Sequence, residues 1–175
     1  LEGAAVRLER RKSLALLIYL AVTGERHARD TLATLFWPSQ GQSQARASLR
    51  RALADITAAL GKNLTAADKE NIGLAAERQP WLDLREFRRL ASGCAAHAGR
   101  RQDSCHDCLG CLEEAVAFYR NDFLAGFTLP DCREFDEWEF FQAEQVRDEL
   151  AGAFRLLAGR RLAEGSPEAA AAYAR

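Results

Sequence analysis

A mainly α-helical fold in two parts is what this sequence predicts, and three observations predict it. Alanine and leucine dominate and only four prolines occur, a composition that favours helix. Apolar residues recur three and four positions apart along most of the chain, the spacing of one helix face. Charge divides unevenly: residues 1–78 hold 12 Lys and Arg against 8 Asp and Glu, net +4, and residues 79–175 hold 12 against 17, net −5. A basic half followed by an acidic half points to two modules with different partners. With 48% hydrophobic and 28% charged residues, the chain has the composition of an ordinary globular protein rather than a disordered one. Its longest apolar run, Leu14 to Val22, is far shorter than the ~20 residues needed to cross a bilayer. No basic segment leads into an apolar core and cleavage site, so no secretory signal is read. The chain starts at Leu1 and stops within an expected helix at Arg175, and reads as a fragment cut at both ends.

The elements follow in order. Leu1 to Glu9 is expected as strand, with Val6 and Leu8 alternating with Arg7 and Glu9. From Arg11 the period changes to that of a helix, with Leu14, Leu17, Ile18 and Ala21 on one stripe and Gly24 as its C-cap. A second helix spans about Arg29 to Trp37, with Asp30 in its first turn, where the helix dipole favours acids, and Pro38 closing it. A third runs from an N-cap at Ser43 to Leu60, before Gly61. Leu49, Leu53, Ile56 and Leu60 form its expected buried stripe. Residues 64–75 read as a hairpin around a polar turn at Asp68 to Asn71. Strand, three helices and hairpin is the order of a winged helix. Trp81, Leu84 and Phe87 open a new element, which sets the domain boundary near Gln79. Further helices are expected at roughly 83–92, 108–119 and 134–164. A last one starts at Pro167, with Ser166 as N-cap.

On a wheel of ~100° per residue, with Leu49 at zero, Gln44, Ala47, Ser48, Arg50, Arg51, Ala54 and Asp55 point away from the core, and Arg46 lies at the edge of the buried stripe. A major groove admits one helix, small residues let it approach closely, and arginine grips guanine or phosphate with two parallel hydrogen bonds. The bland alternative is a solvated basic face.

The run RKSLALLIYLAVTGERHARDTLATLFWP followed by ARASLRRALADITAALG resembles the N-terminal DNA-binding unit of the SARP-type activators (Streptomyces antibiotic regulatory proteins), which has the OmpR-type winged-helix fold. WLDLREF, YRNDFLAGFTLPDCREFDEW and LAEGSPEAAAAYAR are similar to the bacterial transcriptional activator domain (BTAD) that follows it. The resemblance implies a truncated winged helix-turn-helix at 1–78 lacking its N-terminal strands, then a tetratricopeptide-like helical domain at 79–175. It makes the third helix the recognition helix and the hairpin near 64–75 the wing. Arg46, Ser48, Arg50 and Arg51 are then expected at DNA, with Gln44 and Lys62 as further candidates. The chain departs from the family's pattern in keeping only the last N-terminal strand, in Ala28 where a capping Ser is common, and in Asn121 where Gly is usual.

Five cysteines, an odd number without a secretion signal, favour a reducing compartment. Cys94, His97, Cys105 and Cys108 form two close pairs of the kind that suits tetrahedral zinc, with His106 and Cys111 nearby, and free thiols on a surface loop are the alternative. Four protein ligands leave no open position, so such a zinc would be structural. Cys132 reads as a packed thiol and most aromatics of the second half as core. The acidic run Asp131, Glu134, Asp136, Glu137 and Glu139 reads as a solvated helix N-terminus rather than a carboxylate active site. No nucleophile set or phosphate loop assembles, so the expectation is not an enzyme. The expected function is a cytoplasmic, sequence-specific transcriptional activator that binds double-stranded DNA. Its helical domain would mediate homodimerisation or contact RNA polymerase or another protein, and no membrane partner is expected. The alternative is a protein-interaction adaptor whose winged helix does not bind DNA.

Overall fold

The computed structural model describes residues 7–92 and 106–173. Its elements are α1 (Arg11–Thr23), β1 (His27–Ala28), α2 (Arg29–Phe36), α3 (Gln42–Leu60), β2 (Thr65–Ala67), β3 (Asn71–Leu74), a 3-10 turn (Ala76–Arg78), α4 (Asp83–Ser92), α5 (His106–Ala117), α6 (Arg133–Ala163) and α7 (Pro167–Ala172). The chain is mainly helical, with one small sheet. None of the described helices is long and apolar enough to cross a membrane. The chain divides into two compact units. One comprises Leu1–Pro80 and Phe127–Trp138, the other Trp81–Gly126 and Glu139–Arg175. The expected division at 78/79 put residues 127–138 in the second domain, whereas their packing joins them to the first unit.

Within the first unit, α1 ends as its sequence dictates. Gly24 adopts φ 66°, and its N–H reaches Leu20 O at 3.1 Å, a left-handed stop that a glycine takes without a Cβ clash. Residues 7–10, which were expected to continue a strand, carry none, and residues 1–6 lie outside the described residues. A strand the sequence did not announce, β1, pairs antiparallel with β3, giving the sheet order β1-β3-β2. At two residues β1 is too short to show a period. Its pairing of His27 with Ile72 and Ala28 with Asn71 is fixed from outside. Gly73 lies where a Cβ would come within 2.9 Å of Arg26 Cγ and 3.1 Å of Glu25 O, so the chain entering β1 can lie close against β3. The hairpin turn is held by Asp68, whose Oδ1 accepts the N–H groups of Glu70 (2.8 Å) and Asn71 (2.7 Å), the Asx geometry that favours Asp in turns. Those backbone donors, Asn71 first, hold the Asp68 carboxyl below the usual carboxylate range.

α3 begins at Gln42 with Gly41 as its N-cap, two residues ahead of the expected Ser43. Its buried residues are Ala45, Ser48, Leu49, Ala52 and Ile56, with Leu53 and Leu60 only half-buried. The buried stripe is therefore turned by about 50° from the expected stripe, at ~100° per residue. α3 packs against α1 and α2, and Ala45, Leu49, Ala52 and Ile56 lie on its buried face while Leu53 and Leu60 sit at the margin. The core beneath is Leu16, Leu20, Leu32, Phe36, Leu49, Ile56, Ile72, Leu129 and Phe135, all at 2% exposure or less. Phe36 is its hub: its ring lies 5.6 Å from Phe135 and 5.9 Å from Tyr19, the latter edge-on. The Phe36 carbonyl, at the C-terminus of α2, accepts hydrogen bonds from Lys12 Nζ (2.8 Å) and from the buried Cys132 thiol (3.2 Å), which satisfies an acceptor that the helix leaves free.

The second unit is built from α4, α5, the larger part of α6, and α7. Phe87, Leu90, Ala115 and Leu150 form one buried cluster, and Leu112, Ala153 and Leu157 form another. Arg88 pairs with Glu149 (2.9 Å), and Arg161 with Glu113. Three aromatics expected in the core are exposed: Trp81 (67%), Phe140 (59%) and Phe141 (67%). Trp81 leans on Phe118 at 5.8 Å, and Phe140 and Phe141 meet edge-on at 5.8 Å. Ser166 precedes α7 without donating or accepting a side-chain cap, so Pro167 at the first position is the working start signal. Asn121 accepts the Asp122 N–H at 2.9 Å without entering the left-handed region, which Leu124 (φ 51°) and Asp131 (φ 63°) occupy instead.

Two measurements check this packing. Phe36→Ala should cost about 3–5 kcal/mol in urea denaturation, as large-to-small changes at filled aromatic sites do, while Phe141→Ala should stay within about 0.5 kcal/mol. Asp122 is lowered to about 2, first by the Arg147 guanidinium and then by the Tyr119 hydroxyl. Its folded-state value thus lies below the ordinary ~3.9. The stability it adds is complete above that value and is lost as pH falls toward about 2. The Asp122→Asn chain should therefore lose less stability than wild type between pH ~4 and ~2, read from denaturation midpoints across that range.

Candidate nucleic-acid interface

A ridge with a groove on either side is formed by α3. Gln44, Arg46, Arg50 and Arg51 are exposed along it. They stand there because the face of the same helix bearing Ala45, Leu49, Ala52 and Ile56 is turned inward. Lys62 is exposed just past Gly61, at the end of the helix, and lines neither groove.

The groove on one side brings Arg46 and Arg50 together with Arg29, at the start of α2, and Lys69, in the hairpin turn. Acids are mixed in: Asp30, Asp68 and Glu70 line the same groove. Arg46 is not free in it. Its Nε donates to Asp30 Oδ1 and its Nη2 to Asp30 Oδ2, both at 2.5 Å, and both side chains are 49% exposed. The bidentate contact holds the Asp30 carboxyl below its ordinary range and raises the Arg46 guanidinium. Gln42 adds a longer contact to Asp30 at 3.5 Å. Arg29 is fixed over the hairpin: its Nε donates to Asp68 O at 2.9 Å, and its backbone N–H to Glu70 O at 2.8 Å. Arg26 pairs with Asp68 at 2.7 Å, so the turn is tied to the entry of α2 by three hydrogen bonds.

The groove on the other side brings Ser48, Arg51 and Ala52 of α3 beside Arg10, Arg11, Lys12 and Ser13 at the start of α1, with Trp37 and residues Leu129 to Asp131 completing it. Ser48 corrects the wheel. It was expected to point away from the core, but it is 7% exposed. Its hydroxyl donates to Gln40 Oε1 at 2.8 Å and accepts from Arg51 Nη2 at 3.1 Å. The physical reason is the rotation of the buried stripe toward the alanines, which carries Ser48 to the buried margin. Ser48 thus anchors Arg51 rather than offering its own hydroxyl outward. Arg10 donates twice to Asp55, at 3.0 and 3.1 Å, and Ser13 donates to the same carboxylate at 2.8 Å. Arg11 lies 5.0 Å over the Phe127 ring and Lys12 5.9 Å over Trp37. Aromatic faces thus hold these cations at defined places.

The sequence reading missed Arg29 and Lys69 in one groove and Arg10, Arg11 and Lys12 in the other. The run Arg10-Arg11-Lys12 was visible, but it served only as the point where the period changes. The candidate zinc residues Cys94, His97 and Cys105 lie outside the described residues. Cys108 falls in α5 with its side chain undescribed, as does His106. Cys111 is half-buried and Cys132 buried, both as free thiols.

No family model and no curated protein matches the chain, so the geometry of α3 carries the functional argument. The role of Ser48 is measurable. Ser48→Ala should cost about 1 kcal/mol in thermal or urea denaturation, the usual value for a lost part-buried hydrogen bond, since it removes the partner of both Gln40 and Arg51.

Proposed function

We propose that this chain is a sequence-specific DNA-binding transcriptional regulator, an activator of the SARP type. Its first unit would be an OmpR-type winged helix and its second a tetratricopeptide-like activator domain. The observation that carries the reading is the exposed, arginine-bearing ridge of α3 flanked by two cation-lined grooves. A helix seated in a major groove has a phosphate backbone on each side, and cations on both sides of the ridge match that arrangement. The antiparallel β2–β3 hairpin after α3 and the helices α1 and α2 before it support the winged-helix reading. Arg50 and Arg51 project from the ridge toward opposite grooves. Arg29, Lys69, Arg11 and Lys12 would serve as backbone contacts that fix register without reading sequence. The helical unit would meet protein partners, RNA polymerase or a second copy, and its exposed Phe140 and Phe141 are apolar surface suited to that role.

Fluorescence anisotropy of the chain with random-sequence duplex DNA, across a salt series, tests the reading. Binding should weaken steeply as salt rises, and the Arg50→Ala/Arg51→Ala variant, checked for folding, should show a log–log slope shallower by up to about 2. A folded chain without salt-sensitive binding at low salt would favour the protein-interaction adaptor instead.

A further inference from the structure

The bidentate Asp30–Arg46 pair has an orientation that bears on base recognition, and the inference rests on the DNA-binding reading above. Arg46 sits one turn into α3, near the N-terminal end of the ridge, where a helix entering a major groove presents its first residues to base edges. Asp30 occupies the side edge of the guanidinium, Nε and Nη2. A guanidinium has five N–H donors in a planar fork. Both Nη1 donors and the second Nη2 donor therefore remain, and the outer Nη1–Nη2 edge is a complete two-pronged fork. That fork matches two acceptors side by side, as guanine N7 and O6 present them in the major groove. An arginine free to rotate would meet phosphate as readily as a base. Held from behind by a carboxylate, it keeps one plane and one direction. Asp30 is itself fixed by its place in the first turn of α2 and by Gln42. An exposed ion pair adds little to stability in water, so this geometry has more to offer in orientation than in folding.

We propose that Asp30 is a positioning residue for specificity: it holds Arg46 so that the outer edge of its guanidinium reads a guanine in the major groove. Asp30 touches no base in this arrangement and acts through Arg46 alone. Neighbouring Arg50, for which no carboxylate contact occurs among the described residues, serves the phosphates.

Selection from a randomised duplex library with the whole chain, followed by competition binding, tests this. The wild type should select a site containing a guanine whose replacement by adenine weakens binding about 5- to 150-fold, the range of one good bidentate contact. Arg46→Ala should bind both versions equally. Asp30→Asn, with Asp30→Ser as a second neutral variant, should melt near the wild-type temperature and keep the wild-type salt slope, yet lose most of the discrimination at that one base pair. A purely structural role would not move a single base preference while leaving the salt slope unchanged. The proposal is overturned if the Asp30 variants keep wild-type discrimination. It is equally overturned if they bind all sequences more tightly with a steeper salt slope, which would make Asp30 a competitor of phosphate. Salt-sensitive binding by the wild type without any base preference overturns the positioning role but leaves DNA binding standing. Absence of salt-sensitive binding by the wild type removes both.

Discussion

The first unit depends on one helix end. Phe36 closes α2, fills the centre of the core with its ring, and offers a carbonyl that the helix itself cannot satisfy. Lys12 from α1 and the Cys132 thiol from the segment before α6 both come to that oxygen. A lone buried carbonyl costs what a lost hydrogen bond costs, so these two donors are constrained as tightly as the aromatic contacts around them. The position of α2 then sets that of α3, which packs on it, and the position of α3 decides which arginines reach solvent. The exposed ridge is thus a consequence of how a phenylalanine is buried on the far side of the same helix pair.

Packing also explains why the cations of the two grooves are arranged rather than scattered. Four of them are held by a specific neighbour: Arg46 by Asp30, Arg29 by the hairpin backbone, Arg51 by Ser48, and Arg11 by the Phe127 ring. Individually such contacts at a surface are weak. Their effect is to restrict the directions in which charge is presented, and that restriction lowers the ordering cost of meeting a rigid partner.

Much of the helical framework was legible in the sequence. Helices α1, α2, α4 and α6 lie where the periodicity put them, though α1 buries Ser13, Ala15, Leu16, Leu20 and Ala21 rather than the stripe of Leu14, Leu17, Ile18 and Ala21; Gly24 ends α1 and Pro167 starts α7 as backbone chemistry requires. What escaped was whatever tertiary context decides. β1 has no pattern of its own and exists because β3 passes beside it. The buried stripe of α3 was read as Leu49, Leu53, Ile56 and Leu60; the structure buries Leu49 and Ile56 of these, but fills the rest of the face with Ala45, Ser48 and Ala52 in place of Leu53 and Leu60. Ser48 was misplaced by the same error. Asp30 was recognised as an acid suited to a helix start, but its grip on Arg46, sixteen residues on, is invisible to local spacing. Trp81, Phe140 and Phe141 show the converse: aromatic character raises the expectation of burial, and the neighbours present decide it.

The segment Phe127–Trp138 joins the first unit although residues 81–126 of the second come before it in the chain. During synthesis, residues 1–80 emerge with a core that still lacks Leu129, Cys132 and Phe135. Until those arrive, Phe36 has neither the aromatic ring nor the thiol that the finished core gives it, and the apolar surface they cover stays open. Surface of that kind, exposed while the intervening stretch is translated, is where incomplete domains are prone to associate. The two units are interleaved in the chain, so the first is complete only after the opening segment of the second has been made.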